Sequence, residues 1–146
     1  DPHRTLEDCL VLAGHQITRA GVVVQRRFEA TRQPAINLQE LQQVLVNLLV
    51  NALHAMPGGG TLTLATGDIG TGADAAVFIT VQDSGPGLAP DLLAQLFQPF
   101  VTRRKEGTGL GLWISRQIVE RYGGELTAAN ASGGGAAFTV TLRVEA

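Results

Sequence analysis

A single cysteine in 146 residues rules out an internal disulfide. Cys9 lies with Leu6, Leu10 and Ala13 at helical spacing, which places its thiol in a core rather than in redox or metal chemistry. Charged residues are scarce, at 16 %, aromatics are scarcer, at 5 %, and the formal net charge is −2. That balance excludes a general nucleic-acid surface or direct contact with an anionic membrane. One local basic cluster remains, Arg103, Arg104 and Lys105. No apolar run reaches membrane length and no secretory leader is evident, so a cytoplasmic domain is expected, with any membrane anchor lying in a longer parent protein. No GxxxxGK[ST] pattern occurs either, which excludes a P-loop. What the chain does have is 45 % hydrophobic residues and 18 glycines, the composition of one folded domain with several tight turns.

Periodicity supplies the elements. Thr5 to about Ile17 carries Leu6, Leu10, Ala13 and Ile17 on one stripe and predicts a helix, with Thr5 as its cap. Gly21 ends it, and Val22 to Phe28 alternates as a strand. After a loop at 30–35, Leu38 to Met56 predicts a long helix stopped by Pro57 and Gly58 to Gly60. Strands are expected at 61–66 and 76–82 with a Gly- and Asp-rich hairpin loop at 67–75 between them. A short helix at 91–97 and a longer one at 110–122 follow, then strands at 125–129 and 137–144 split by a glycine turn. One-sided alternation in the strands, with helices before and between them, predicts an α+β fold, a two-layer α/β sandwich with one face of the sheet covered.

Three places carry chemistry. The long helix reads LQQVLVNLLVNALHAM, and Asn47 and Asn51, four residues apart, project from one face of an otherwise apolar segment. A buried amide without partners costs roughly 1–3 kcal/mol, so something polar is expected to face the pair. The strand at 76–82 runs into Asp83-Ser84-Gly85-Pro86-Gly87-Leu88, which reads as a tight turn or as an acid that accepts from an exocyclic amine beside glycines that admit a flat base. Gly107-Thr108-Gly109-Leu110-Gly111-Leu112 opens the last long helix, where free N–H groups and the helix dipole suit an anion, or where glycines serve as a hinge. Between them, Phe97 and Phe100 flank Pro99 ahead of Thr102 and the basic cluster, which reads as a solvated basic turn or as a segment able to fold over a ligand and offer cations to phosphates. Asn oxygens suit Mg²⁺, so the three together describe an ATP–Mg²⁺ site.

In NLLVNALHAM, DSGPGL, LFQPF and GTGLGL, in that order, the chain resembles the catalytic ATP-binding domain of bacterial sensor histidine kinases, within the Bergerat-type family shared with gyrase, Hsp90 and MutL ATPases. AMPGGGTL and ISRQIVERYGG are most similar to the nitrogen- and dicarboxylate-sensing kinases. The resemblance implies a single domain over 1–146, with an N-terminal helix and strand at 1–37, a core carrying the motif boxes at 38–142 and an ATP lid at 97–109. It implies a mixed, mostly antiparallel sheet of about five strands with about three helices on one face. It also implies ATP and Mg²⁺ as ligands, with Asn51 on the metal, Asn47 beside the phosphates and His54 within reach of one. Asp83 would read adenine N6, with Gly85, Gly87 and Leu88 shaping the base pocket. Thr102, Arg104, Lys105, Gly107, Thr108, Gly109, Leu110, Gly111 and Leu112 would line the triphosphate. Val101 replaces an aromatic common in such kinases, and Ala136 replaces a hydroxyl residue.

The implied reaction passes the γ-phosphoryl group to a histidine on a separate dimerisation domain, with a response regulator downstream. No histidine here precedes an acid, as acceptor histidines do in the family: His3 precedes Arg4, His15 precedes Gln16 and His54 precedes Ala55. His3 and His15 are expected in solvent. The gyrase and Hsp90 ATPases place a Glu where this chain has Asn47, which argues against efficient activation of water. A serine kinase of the anti-sigma-factor type is the other alternative.

Overall fold

The computed structural model describes residues 1–98 and 111–145. The N-terminal helical region is two helices, α1 (Pro2–Leu12) and α2 (Gly14–Ala20), rather than the single one expected. Asp1 caps α1, accepting from His3 N at 2.9 Å, with Pro2 in the first turn. This acid-then-proline start outcompetes Thr5, which is buried and donates its hydroxyl to the Asp1 carbonyl instead. Gly21, at φ 73°, ends α2 in the left-handed region.

β1 (Val22–Phe28) leads into α3 (Leu38–His54), whose cap Asn37 accepts from Gln39 N and Glu40 N. β2 (Gly60–Ile69) then pairs parallel to β1, so α3 is the crossover between them. β2 runs three residues past its expected end. The ring of Phe78 covers Gly67, where a Cβ would lie 2.4 Å from the ring, so this glycine belongs to the sheet and not to the loop. β3 (Ala76–Gln82), α4 (Pro90–Gln95), α5 (Gly111–Arg121), β4 (Glu125–Asn130) and β5 (Ala136–Arg143) complete the described elements. The strand order is β1-β2-β3-β5-β4, antiparallel except for β1 with β2. This is the five-stranded mixed sheet expected.

α3 packs between α1 and α5 over the sheet. Its Leu41, Val44, Leu45, Leu48 and Leu49 are buried with Leu62 and Leu64 of β2, Ile79 of β3 and Val140 and Leu142 of β5. Each fully buried Leu or Ile contributes about 1.5–3 kcal/mol, so this layer dominates the fold. Glu40 ties the start of α3 to the end of α5, accepting from the Tyr122 hydroxyl and pairing with Arg121 at 2.9 Å. Cys9 is fully buried as expected, and burial pushes its thiol up to about 11. His3 is not in solvent: it stacks on Phe28 at 4.7 Å and meets Thr66 Oγ1 at 2.7 Å. No helix among the described residues is long and apolar enough to cross a membrane.

Candidate functional site

Asn47 and Asn51 lie on one side of α3, half-buried rather than fully buried, and they face different things. Asn47 Nδ2 donates to Ser115 Oγ at 3.2 Å and to the Gly111 carbonyl at 3.4 Å. Ser115 is wholly buried, so Asn47 pins α3 to the first turns of α5. The Asn51 side chain has no hydrogen-bond partner among the described residues. One helical turn further along, it lines a pocket of about 500 Å³ with His54, Ala55 and Pro57 on its own side and Pro86, Gly87 and Leu92 opposite. The polar partner sought for the pair is therefore protein for Asn47 and open space for Asn51.

Asp83 begins the loop that carries Pro86 and Gly87 to the opposite side of the pocket. It is 3 % exposed, at the end of β3, and its Oδ1 accepts from Gly85 N at 2.9 Å and Ala136 N at 3.2 Å. Its own N–H donates to the Ala136 carbonyl at 2.9 Å. A carboxylate gripped by two backbone donors is held in one orientation at a depth where water is excluded. Ser84 next to it accepts from Thr61 N at 2.9 Å and touches the Met56 sulfur.

The glycines of this loop are required by the protein itself. A Cβ on Gly85 would lie 2.4 Å from the Ala55 carbonyl, so only glycine lets the loop close on the end of α3. Gly87 has φ 81° and faces Asn130, whose amide takes both backbone groups of the buried Leu88. Asn130 went unnoticed in the sequence because an Asn followed by Ser132 and three glycines reads as ordinary turn chemistry. Ser115 was equally silent among the apolar positions of α5.

Gly111 and Leu112 are half-buried in the first turn of α5, and His54 is exposed at the rim of the pocket. Thr102, Arg104, Lys105, Gly107, Thr108, Gly109 and Leu110 lie outside the described residues, as do Pro99, Phe100 and Val101. The approach to that stretch is anchored. Phe97 meets Phe138 edge-on at 6.4 Å, and the Arg116 guanidinium sits over the Phe97 ring at 5.4 Å.

Among the described residues no cluster of three or more His, Cys, Asp or Glu side chains offers a metal cage. Magnesium needs none: one hard protein oxygen, substrate phosphates and water suffice, and the Asn51 amide in the pocket fits that requirement.

Residues 36–146 match the family model described as histidine kinase-, DNA gyrase B- and HSP90-like ATPase. The sensor histidine kinase ZraS of Salmonella typhi is 41 % identical over 124 residues, which cover 83 % of this chain and 26 % of ZraS. The C4-dicarboxylate transport sensor protein DctS of Rhodobacter capsulatus is 46 % identical over 108 residues, covering 71 % of this chain and 16 % of DctS. The chain thus spans about a quarter or less of the length of these relatives. Among solved structures, the nucleotide-free catalytic domain of the histidine kinase ThkA superposes with a TM-score of 0.85 at 26 % identity, covering 97 % of this chain and 91 % of that one. ThkA in complex with the response regulator protein TrrA gives 0.82 at 25 % identity, covering 98 % and 40 %.

Proposed function

Since the chain belongs to the histidine kinase-, DNA gyrase B- and HSP90-like ATPase family, we propose that it is the ATP–Mg²⁺-binding catalytic domain of a sensor histidine kinase. In this reading it passes the γ-phosphoryl group of ATP to a histidine on a separate dimerisation domain. The observation that carries it is the pocket in which the Asn51 amide, without a partner among the described residues, faces the Pro86–Gly87 wall anchored by Asp83.

The roles follow from chemistry. Asp83, held by Gly85 and Ala136, presents a fixed carboxylate to the adenine amino group, while Pro86 and Gly87 form the wall beside the base and the buried Leu88 that follows them shapes it from the core. Asn51 offers an amide oxygen to the metal. Bound there, magnesium would neutralise phosphate charge and shape the triphosphate. Asn47 holds the start of α5, and with it Gly111 and Leu112, where the phosphates meet the helix N-terminus. His54 reaches toward the phosphates from the rim. Thr102, Arg104, Lys105, Gly107, Thr108, Gly109 and Leu110 belong to the lid in this assignment, within a single domain over 1–146. Phosphoryl transfer of this kind asks for positioning and charge neutralisation, so no protein nucleophile is needed on this chain.

An ATPase reading lacks a base, because Asn47 stands where a water-activating carboxylate would and its amide is already donated to α5. The partners we assign are the dimerisation domain and, downstream, a response regulator. Use of ATP places the domain in the cytoplasm. The test is incubation with γ-labelled ATP, alone and with the dimerisation domain of the parent protein. Acid-labile label is expected on the added domain alone. Label on His15 or His54, on a serine, or steady phosphate release with no labelled histidine overturns the assignment.

A further inference from the structure

Asn130 is the last residue of β4, at the surface, yet its amide points inward to Leu88. Oδ1 accepts from Leu88 N at 2.7 Å and Nδ2 donates to the Leu88 carbonyl at 2.9 Å. One side chain thus satisfies both backbone groups of a residue 42 positions away, as a neighbouring strand would. The same side chain fills the space beside Gly87, where a Cβ would lie 2.9 Å from Asn130 Oδ1. Gly87 and Pro86 are the pocket wall opposite Asn51. That wall therefore hangs between two anchors: Gly85, fixed by Asp83, and Leu88, fixed by Asn130.

We propose that Asn130 is a positioning residue that sets the base end of the nucleotide pocket. It touches no phosphate and reads no base. It holds Gly87 in its left-handed conformation and keeps the wall at a fixed distance from Asp83. It also occupies the Leu88 N–H and C=O, so these groups are not offered to the ligand. Only an amide of this length does both tasks. A carboxylate accepts from Leu88 N but turns a second acceptor toward the Leu88 carbonyl, and a serine supplies a single oxygen.

The inference rests on the nucleotide reading, and the experiment separates the two. The full 146-residue chain, wild type, Asn130→Ala and Asn130→Asp, is titrated by calorimetry with Mg²⁺-ATP and with Mg²⁺-tripolyphosphate, and Leu88 amide exchange is followed by NMR. Losing both hydrogen bonds in Asn130→Ala, or the one to the Leu88 carbonyl in Asn130→Asp, should weaken ATP about tenfold and leave tripolyphosphate within about twofold. Leu88 amide exchange should accelerate about tenfold in Asn130→Ala, while Asn130→Asp, which keeps the shape and the bond to Leu88 N, guards against a folding defect. Equal losses for both ligands would mean a general structural role and overturn the inference, as would unchanged ATP affinity. A wild-type chain that binds no ATP overturns the nucleotide reading, and this inference falls with it.

Discussion

A Cβ placed on Gly135 would lie 2.0 Å from the carbonyl oxygen of Asp83 and 3.0 Å from its Oδ1. The turn before β5 is thus pressed against the acid at the end of β3, and Ala136 N reaches Oδ1 because of that approach. Gly135 also has φ 85°, which a side chain resists. Gly135→Ala should destabilise the fold by on the order of 3 kcal/mol, through clash and backbone strain together. Gly133→Ala, with nothing within 4 Å and no positive φ, is the control and should be silent. Urea denaturation of the two variants checks the contrast.

The metal role proposed for Asn51 is separable from nucleotide binding. Asn51→Ala removes a half-buried amide that holds nothing together among the described residues, so the melting temperature should change little. The gain in ATP affinity that Mg²⁺ provides should fall by roughly a hundredfold, the scale of one oxygen facing a charged group. Calorimetry with and without Mg²⁺ decides it, and an undiminished Mg²⁺ effect would remove Asn51 from the metal.

Asp83→Asn keeps an oxygen for the N–H groups of Gly85 and Ala136 but turns the second carboxylate atom from acceptor into donor. ATP should bind about a hundredfold more weakly and tripolyphosphate almost normally. Parallel losses for both ligands would show that Asp83 shapes the pocket without reading the base.

His3 gives the fold a dependence on pH. Thr66 Oγ1 accepts from the N–H groups of Glu29 and Ala30, both at 3.1 Å, so its own proton goes to His3 Nε2 and the imidazole is neutral. Burial, then the N-terminal amine, holds the His3 pKa below its ordinary 6.5, and Asp68 opposes them only in part. The folded state therefore binds a proton less readily than the unfolded chain. The stability His3 supplies is complete above 6.5 and is lost as pH falls through the lowered folded value. His3→Gln keeps an acceptor for Thr66 and cannot titrate. Its urea midpoint should lose less than the wild type between roughly pH 7.5 and pH 5.

The fold was largely legible in the chain, because α3, β3 and β5 bury one face each and their periodicity says so. What misled were contacts between distant residues. Nothing local announces that Phe78 will cover Gly67 and carry β2 into a presumed loop, or that Thr66 will draw His3 out of solvent. The same holds at the site. The motif boxes led to the right family, and Asn51 and the Asp83 loop lie on opposite sides of one pocket. The sequence asks for something polar facing Asn47 but does not say what, and its partners are Ser115 and Gly111, more than sixty residues later. The glycines at 85 and 87 read as a tight turn or as room for a base, and their first neighbours in the fold are Ala55 and Asn130.

β5, the last of the described strands in chain order, lies inside the sheet between β3 and β4. During synthesis, Val77, Ile79 and Val81 emerge from the ribosome long before Val140 and Phe138, the residues they pair with or lie beside. Until then β3 is an open apolar edge, a surface for chaperones to cover. Ala136 and Asn130, which grip Asp83 and Leu88, arrive with that same hairpin. The nascent domain therefore cannot hold the pocket beside Asn51 in shape until that hairpin has emerged: its wall is fixed all at once, with β5.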